Sequence, residues 1–508
     1  MTENKRIALN TFYLYLRMFI LLIVSFYTTR VILDSLGVTD FGLYNVVAGF
    51  VAMISFIHTS ISNSIQRFLN FEIGKGLQGD VNKYFSVALL TQVVTSLVVI
   101  LLAETAGLWF LNNKLNIPTD RTFAANIVYH ISVITIVFKL LQSPFQAMII
   151  AKEKMKFYAY ISLLEAFLQL VIAFVLGYIQ SCRLEIYALL LLAVTAAIFI
   201  CNVYYAKHIH SGISLMPRYQ SYIFKEIFSF CGWNLLGSAS GVVMNQGINM
   251  LINIFFGVTV NAARGIASQV YSGVQKFIAN FQLAMNPQIV QSYASGNKER
   301  YLQLCYANFK VSAYLMWIIV LPLIVSCNEV LAIWLGDNVP SDTHIFVVLV
   351  LINGLIEALG SSISVPIYAT GNIKKYQLYV SIIRILSLPI SYLFYKFGYP
   401  AFTSMVVCFI IDVFAQLMRV LIWTKEIKVS ALDYVKIIVI PLLIVVCITS
   451  ELSFILYRQL TFDSNLLKLF VSVLITLAIN IPSIIFIALS NAERTKIKGI
   501  VYSKLFNR

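Results

Sequence analysis

Six ionisable side chains stand deep inside long apolar runs: the cations Lys139, Lys276 and Arg384, and the acids Glu165, Glu357 and Asp412. Each costs roughly 2.5–3.5 kcal/mol to place at the middle of a bilayer helix, on the order of 15–20 kcal/mol for the set. Groups that expensive can hold an anion, hold a cation or proton, or pair with one another and tie helices together. Arg17 and Arg30 lie nearer the ends of the first run, where a long side chain reaches either a cavity or the headgroups. His58 and His130 are lone histidines in apolar surroundings, each suited to a structural hydrogen bond or to proton relay.

Uncharged polar residues add a pattern. Gln269, Ser272, Lys276 and Asn280 recur at steps of three and four, as do Ser55, Thr59, Ser62 and Gln66. Asn245, Asn249 and Asn253 share one helix face as well. Such stripes line a hydrated cavity or hydrogen-bond between helices. No nucleophile–base constellation, phosphate-binding loop or metal-ligand spacing accompanies them, so neither catalytic residues, a cofactor nor a metal site is expected. The seven cysteines are scattered without a C-x-x-C pair and read as small apolar core residues.

The elements that carry these residues are membrane helices. The chain has 508 residues, 59% hydrophobic and 12% charged, against about 25% charged in a soluble domain. Apolar runs of about 20 residues recur throughout, long enough to cross roughly 30 Å of hydrocarbon. The ten-residue alternation of a transmembrane barrel is missing. The pattern predicts an all-α polytopic protein with about fourteen helices, near 10–33, 41–64, 83–106, 123–150, 157–180, 185–206, 224–256, 260–286, 304–328, 344–369, 374–397, 400–424, 434–457 and 464–489. The first run follows "MTENKR" without a small-residue cleavage site and is expected to stay as a helix.

The net charge of +15 sorts by side. With the N-terminus inside, 24 of the 37 lysines and arginines fall in inner segments, Arg67 and Arg419 included, and eight in outer loops or outer helix ends, Arg264 included. That bias places both termini in the cytoplasm. It makes the basic balance topological, with no nucleic-acid partner implied.

The chain also repeats itself. "SLGVTDFG" recurs about 220 residues later as "FFGVTVNA", and "GKGLQGDVNKYF" corresponds to "ASGNKERYLQLCY". "PFQA" corresponds to "PIYA", and "KEKMKFYAY" to "NIKKYQLYV". Helices 1–6 and 7–12 therefore read as two parallel copies of a six-helix unit with two helices appended. The expected division is an N-lobe (1–215), a C-lobe (216–428) and a third segment (429–508) with the last two helices and a basic tail.

With this 6+6+2 plan, the opening "NTFYLYLRMFILLIVSFYTTRVILDSLGVTDFGLYNVV" and the Q-x-x-x-x-A-K-E-K passage, the chain resembles the polysaccharide-transport branch of the multidrug/oligosaccharidyl-lipid/polysaccharide (MOP) exporter superfamily. It looks most like the Wzx-type flippases for lipid-linked O-antigen units. The resemblance implies a MATE-like fold, a bacterial inner membrane and a transporter rather than an enzyme. It implies movement of a polyisoprenyl-diphosphate-linked oligosaccharide to the outer leaflet by alternating access, in O-antigen, lipopolysaccharide or capsule-type polysaccharide biosynthesis. The polymerase and glycosyltransferases of that biosynthesis would be partners, and H⁺ or Na⁺ a coupling ion.

On this reading Lys276, Arg384, Arg30, Arg17, Lys139, Asn245, Asn249 and Gln269 are candidates for binding substrate. Glu165, Glu357, Asp412 and His58 are candidates for coupling to an ion or proton. A multidrug or cation antiporter of the same superfamily and a peptidoglycan-precursor flippase stand as alternatives. The short outer loops argue against a polymerase or ligase, which would need room outside for catalytic residues.

Overall fold

The computed structural model describes residues 3–52, 55–114, 121–210, 212–336, 339–460, 462, 464–491 and 493–495. The tail cations Lys496, Lys498, Lys504 and Arg508, and the side chain of Ser55, lie outside the described residues. Among the described residues, twelve helices are long and apolar enough to cross a membrane. We label them α1 (Arg6–Gly37), α3 (Val81–Asn113), α4 (Thr122–Ala151), α5 (Met155–Tyr178), α6 (Arg183–Ile209) and α7 (Ser221–Gly257) in the first part of the chain. There follow α9 (Lys298–Val325), α10 (Thr343–Thr370), α11 (Lys374–Lys396), α12 (Thr403–Ile427), α13 (Ala431–Arg458) and α14 (Asn465–Ala488).

Two further helices complete the expected order but are not among those twelve: α2 (Ser55–Gly74) and α8 (258–294). Helical structure continues from α1 through residue 52 toward α2. In α8, Arg264, Gln269, Lys276 and Asn280 dilute the apolar surface.

The Gly-Val-Thr punctuation has a backbone cause. Gly37 adopts φ 77°, ψ 167° and Gly257 adopts φ 82°, ψ −175°, each breaking an otherwise continuous helix. That region is essentially closed to residues with a Cβ. Other left-handed residues recur in the same register. Gly76 (φ 62°) matches Gly296 (φ 75°), Glu153 (φ 55°) matches Gly371 (φ 80°), and Cys182 (φ 54°) matches Gly398 (φ 81°). Pro144 within α4 and Pro366 within α10 occupy equivalent places too.

Packing repeats with the backbone. α4 packs on α6, and its counterpart α10 on α12. α1 packs on α5, with Tyr27 against Phe174. Its counterpart α7 meets α11 through Ser240 Oγ donating to Ser381 Oγ at 3.1 Å and through Phe255 against Tyr392. Equivalent helix pairs thus pack in both halves, as the six-helix repeat in the sequence predicts.

Two compact units result: Met1–Ala239 with Leu283–Tyr301, and Ser240–Gln282 with Leu302–Arg508. In the first unit, α3, α4 and α6 enclose a core of Ala103, Val128, Tyr129, Leu184 and their neighbours. In the second, the appended α13 and α14 are fastened to α9 and to the short helix Cys327–Leu335. Trp317 Nε1 donates to Thr449 Oγ1 at 2.9 Å, and Asn480 Nδ2 to the Trp317 carbonyl at 3.4 Å. The Ser326 and Ser472 hydroxyls bond at 2.7 Å. Lys468 Nζ lies 2.8 Å from Glu329 Oε1, and Lys310 Nζ 2.9 Å from Glu493 Oε2.

Three sequence-based placements change. Arg67 and Arg419, counted as inner cations, are buried in helices. Arg67 lies over the rings of Phe68, Phe71 and Phe230. Arg264, counted at an outer helix end, is likewise buried two turns into α8. Of the cysteines read as core residues, Cys182 and Cys447 are exposed.

Candidate functional site

The charged residues predicted for the second repeat converge. α10 brings Glu357, α11 brings Arg384 and α12 brings Asp412. Arg384 Nη2 donates to Glu357 Oε1 at 2.5 Å, and its Nε lies 2.9 Å from Asp412 Oδ1, an ionic contact out of hydrogen-bond alignment. Tyr271 of α8 donates its hydroxyl to Glu357 Oε2 at 2.5 Å, and Asn353 Nδ2 donates to Asp412 Oδ2 at 3.1 Å. Gly354 permits the Tyr271 approach, since a Cβ there would sit 2.5 Å from the ring. Arg384, Glu357 and Asp412 are thus engaged with one another, the internal pairing that offsets burial of each charge.

Arg419 of α12 lies close enough for its charge to act on both carboxylates, and its Nη1 donates to Gln416 Oε1 at 3.3 Å. Beside this network is a cavity of about 160 Å³ lined by Asn245, Arg264, Ser268, Tyr271, Asn353 and Glu357 among others. A smaller one of about 50 Å³ continues along Tyr271, Gln275, Gln282 and Ser361.

A second polar face of α8, with Ser268 and Gln275 exposed like the predicted stripe, borders cavities within the unit. Arg264, Ser268, Tyr271, Gln275 and Gln282 line the cavities. Gln282 Nε2 donates to Ser312 Oγ at 3.0 Å and to Ser361 Oγ at 2.9 Å. The predicted stripe of Gln269, Ser272, Lys276 and Asn280 lies roughly a third of a turn away at 100° per residue. Gln269, Ser272 and Lys276 on that stripe are exposed. Lys276 has no ion pair among the described residues, and its carbonyl accepts from Asn280 at 2.8 Å. Asn249 and Asn245 turn to Arg264: Nη1 donates to Asn249 Oδ1, and Nη2 to Asn245 Oδ1 at 3.4 Å. Arg264 is hard to find from sequence because it lies within two turns of the Gly257 break, where a cation reads as a helix-end residue. Its spacing of four and seven to Ser268 and Tyr271 was the available signal.

In the first unit the candidates are more dispersed. Lys139 is exposed on α4, near enough to His58 of α2 for its charge to act on the imidazole. His58 Nδ1 is buried without a hydrogen-bond partner. Arg17 stacks over the Tyr158 ring at 4.6 Å, and Arg30 is exposed. Glu165 is half-buried on α5 with no ion pair among the described residues. His130 is not alone: its Nδ1 lies 3.1 Å from Glu104 Oε1, presented by the widened helical turn Ala103–Gly107. Among the described residues no three His, Cys, Asp or Glu gather as metal ligands.

With this geometry in hand, comparison places the fold in a known class. No protein-family model matches the sequence, and neither does any curated protein. Solved structures do match. One is the outward-facing conformation of a multidrug resistance MATE family transporter of the MOP superfamily. It has a TM-score of 0.72 at 12% identity, covering 84% of this chain and 96% of that one. A MOP superfamily transporter from Pyrococcus furiosus matches with a TM-score of 0.70 at 12% identity, over 84% and 96% of the two chains. That structure is described by the words "reverse polarity of binding pocket suggests different function". The Vibrio cholerae MATE transporter VcmN in its bent form matches with a TM-score of 0.66 at 14% identity, over 84% and 98%. The chain has the fold of these MATE-type transporters.

Proposed function

We propose that this chain is an alternating-access transporter whose cargo is a polyisoprenyl-diphosphate-linked oligosaccharide, of the O-antigen or capsule-type repeat-unit class. The observation that supports this reading is the charge balance in the second unit. Glu357 and Asp412, the acids a cation exporter would use, are both engaged by Arg384, and Arg264 and Arg419 are buried nearby. Three guanidinium groups then stand against two carboxylates. A diphosphate headgroup suits charge-assisted donors, while its polyprenyl tail stays in lipid. Lys276, Lys139, Arg30 and Arg17, with Asn245, Asn249 and Gln269, are proposed along its path, and Glu165 and His58 as sites where H⁺ or Na⁺ would couple.

We place the protein in the bacterial inner membrane with both termini cytoplasmic, on the strength of its lysine and arginine bias. The division into 1–215, 216–428 and 429–508 follows the repeat and belongs to the same reading, as do a polymerase and glycosyltransferases as partners. A second reading, a multidrug or cation antiporter, draws support from the MATE likeness and from Glu165, which has no ion pair among the described residues.

The test uses liposomes carrying a fluorescent lipid-diphosphate oligosaccharide. Translocation by the wild type, lowered at least tenfold by Lys276→Ala in folded protein, is the expected result. No translocation, with gradient-driven efflux of a cationic dye abolished by Glu165→Gln, would replace it with the antiporter reading.

A further inference from the structure

Arg264 has an imbalance that the rest of the second unit does not correct. It is 5% exposed, within a helix that is part of a membrane bundle. Its two terminal nitrogens meet only the neutral amide oxygens of Asn249 and Asn245, and Nε is buried without a hydrogen-bond partner. No carboxylate pairs with it among the described residues. Glu357 lines the same cavity but is taken by Arg384 and Tyr271. A buried guanidinium without counter-charge is costly, and proteins offset that cost by pairing or by binding an ion.

The cavity it faces is the right size for the missing charge. At about 160 Å³ it has ample room for a small ion with its waters. Ser268 offers a hydroxyl donor on the same face of α8, one turn beyond Arg264, and Asn245 borders the space with its amide.

We propose that this cavity is a binding site for a small anion, chloride to phosphate in size, held by Arg264 and Ser268. The site is built within one compact unit and would supply a counter-ion whether the transported cargo is a lipid-linked sugar or a drug. It does not rest on the flippase reading.

The test is thermal unfolding of the purified full-length protein in detergent micelles. Sodium gluconate is exchanged for sodium chloride, or for sodium phosphate, at constant ionic strength. Wild type is expected to show a saturable rise in Tm of about 2 °C or more. Arg264→Gln should lose that rise, and Lys396→Gln, an exposed control, should keep it. Ser268→Glu supplies a tethered carboxylate, so its Tm in gluconate should exceed that of wild type and no longer respond to added anion. It serves as well where Arg264→Gln does not fold. A flat wild-type Tm in both salts, or an unchanged response in Arg264→Gln or Ser268→Glu, would overturn the site. So would a response to geranyl diphosphate alone, which would assign the anion to the cargo headgroup.

Discussion

At the scale of single residues, the geometry separates charges that are paired from charges that are accessible. Arg384 contacts two carboxylates, of which Asp412 has a side chain only 1% exposed. Arg384→Ala should therefore cost about 3–5 kcal/mol, because it strands buried acids. The double change Arg384→Met with Glu357→Gln should recover part of that loss in a thermal unfolding measurement, since Asp412 then keeps Arg419 as a counter-charge. Outside the membrane spans, Glu329 and Glu493 are both held below the ordinary carboxylate value. Burial pushes each up, but Lys468 and Tyr457 donating to Glu329, and Lys310 and Ser490 donating to Glu493, outweigh it. A carboxyl depressed in the folded state adds stability that is complete above its unfolded value and fades as pH falls through the folded one. Unfolding midpoints should thus drop steeply below about pH 4.5, and Glu329→Gln with Glu493→Gln should flatten that slope.

At the scale of elements, the helices were legible because apolar runs and turn residues announce themselves, whereas the face of α8 that lines the cavities was not. A stripe such as Gln269–Ser272–Lys276–Asn280 satisfies helical periodicity as well as Arg264–Ser268–Tyr271–Gln275 does. Only packing against α10, where Gly354 admits Tyr271, brings the second to the cavities. Pairing of Arg384 with acids on two other helices is equally invisible to spacing within one chain segment. The left-handed breaks were readable, since Gly-Val-Thr marks both. A Cβ at Gly257 would touch nothing within 4 Å, so any cost of Gly257→Ala is conformational, about 1–3 kcal/mol. Gly273→Ala, also in open space but inside regular helix, should be neutral or stabilising. Unfolding midpoints would check this, falling for Gly257→Ala and holding or rising for Gly273→Ala.

At the scale of the whole molecule, the 6+6+2 plan was legible from repeats, but what the final pair of helices does for the second unit was not. Nothing in "LLIVVCITSELSFILY" announces that Thr449 accepts from Trp317, or that Lys468 reaches Glu329. Removing residues 429–508 would leave the Trp317 indole, Glu329 and Lys310 without these partners at once. The truncated protein should unfold at markedly lower temperature and aggregate on extraction, as size-exclusion chromatography would report. Restoring the helices as a separate chain should rescue it if the contacts, rather than chain continuity, matter.

The paired left-handed turns make each half an archive of the other. Where Glu153 and Cys182 hold an unfavourable backbone shape in the first half, glycine occupies the counterpart in the second, at Gly371 and Gly398. An L-residue in that shape costs roughly 1–2 kcal/mol, so the second copy already records a relaxed solution to the same bend. Cys182 is exposed with no side-chain capping bond, and grafting its twin's glycine there should make the protein hardier. Glu153 is gripped by Arg6 at 2.7 Å and by Gln288 at 3.1 Å, so the same graft should weaken it. The repeat thus carries its own comparison, in which a departure from glycine is costly at Cys182 and put to use at Glu153.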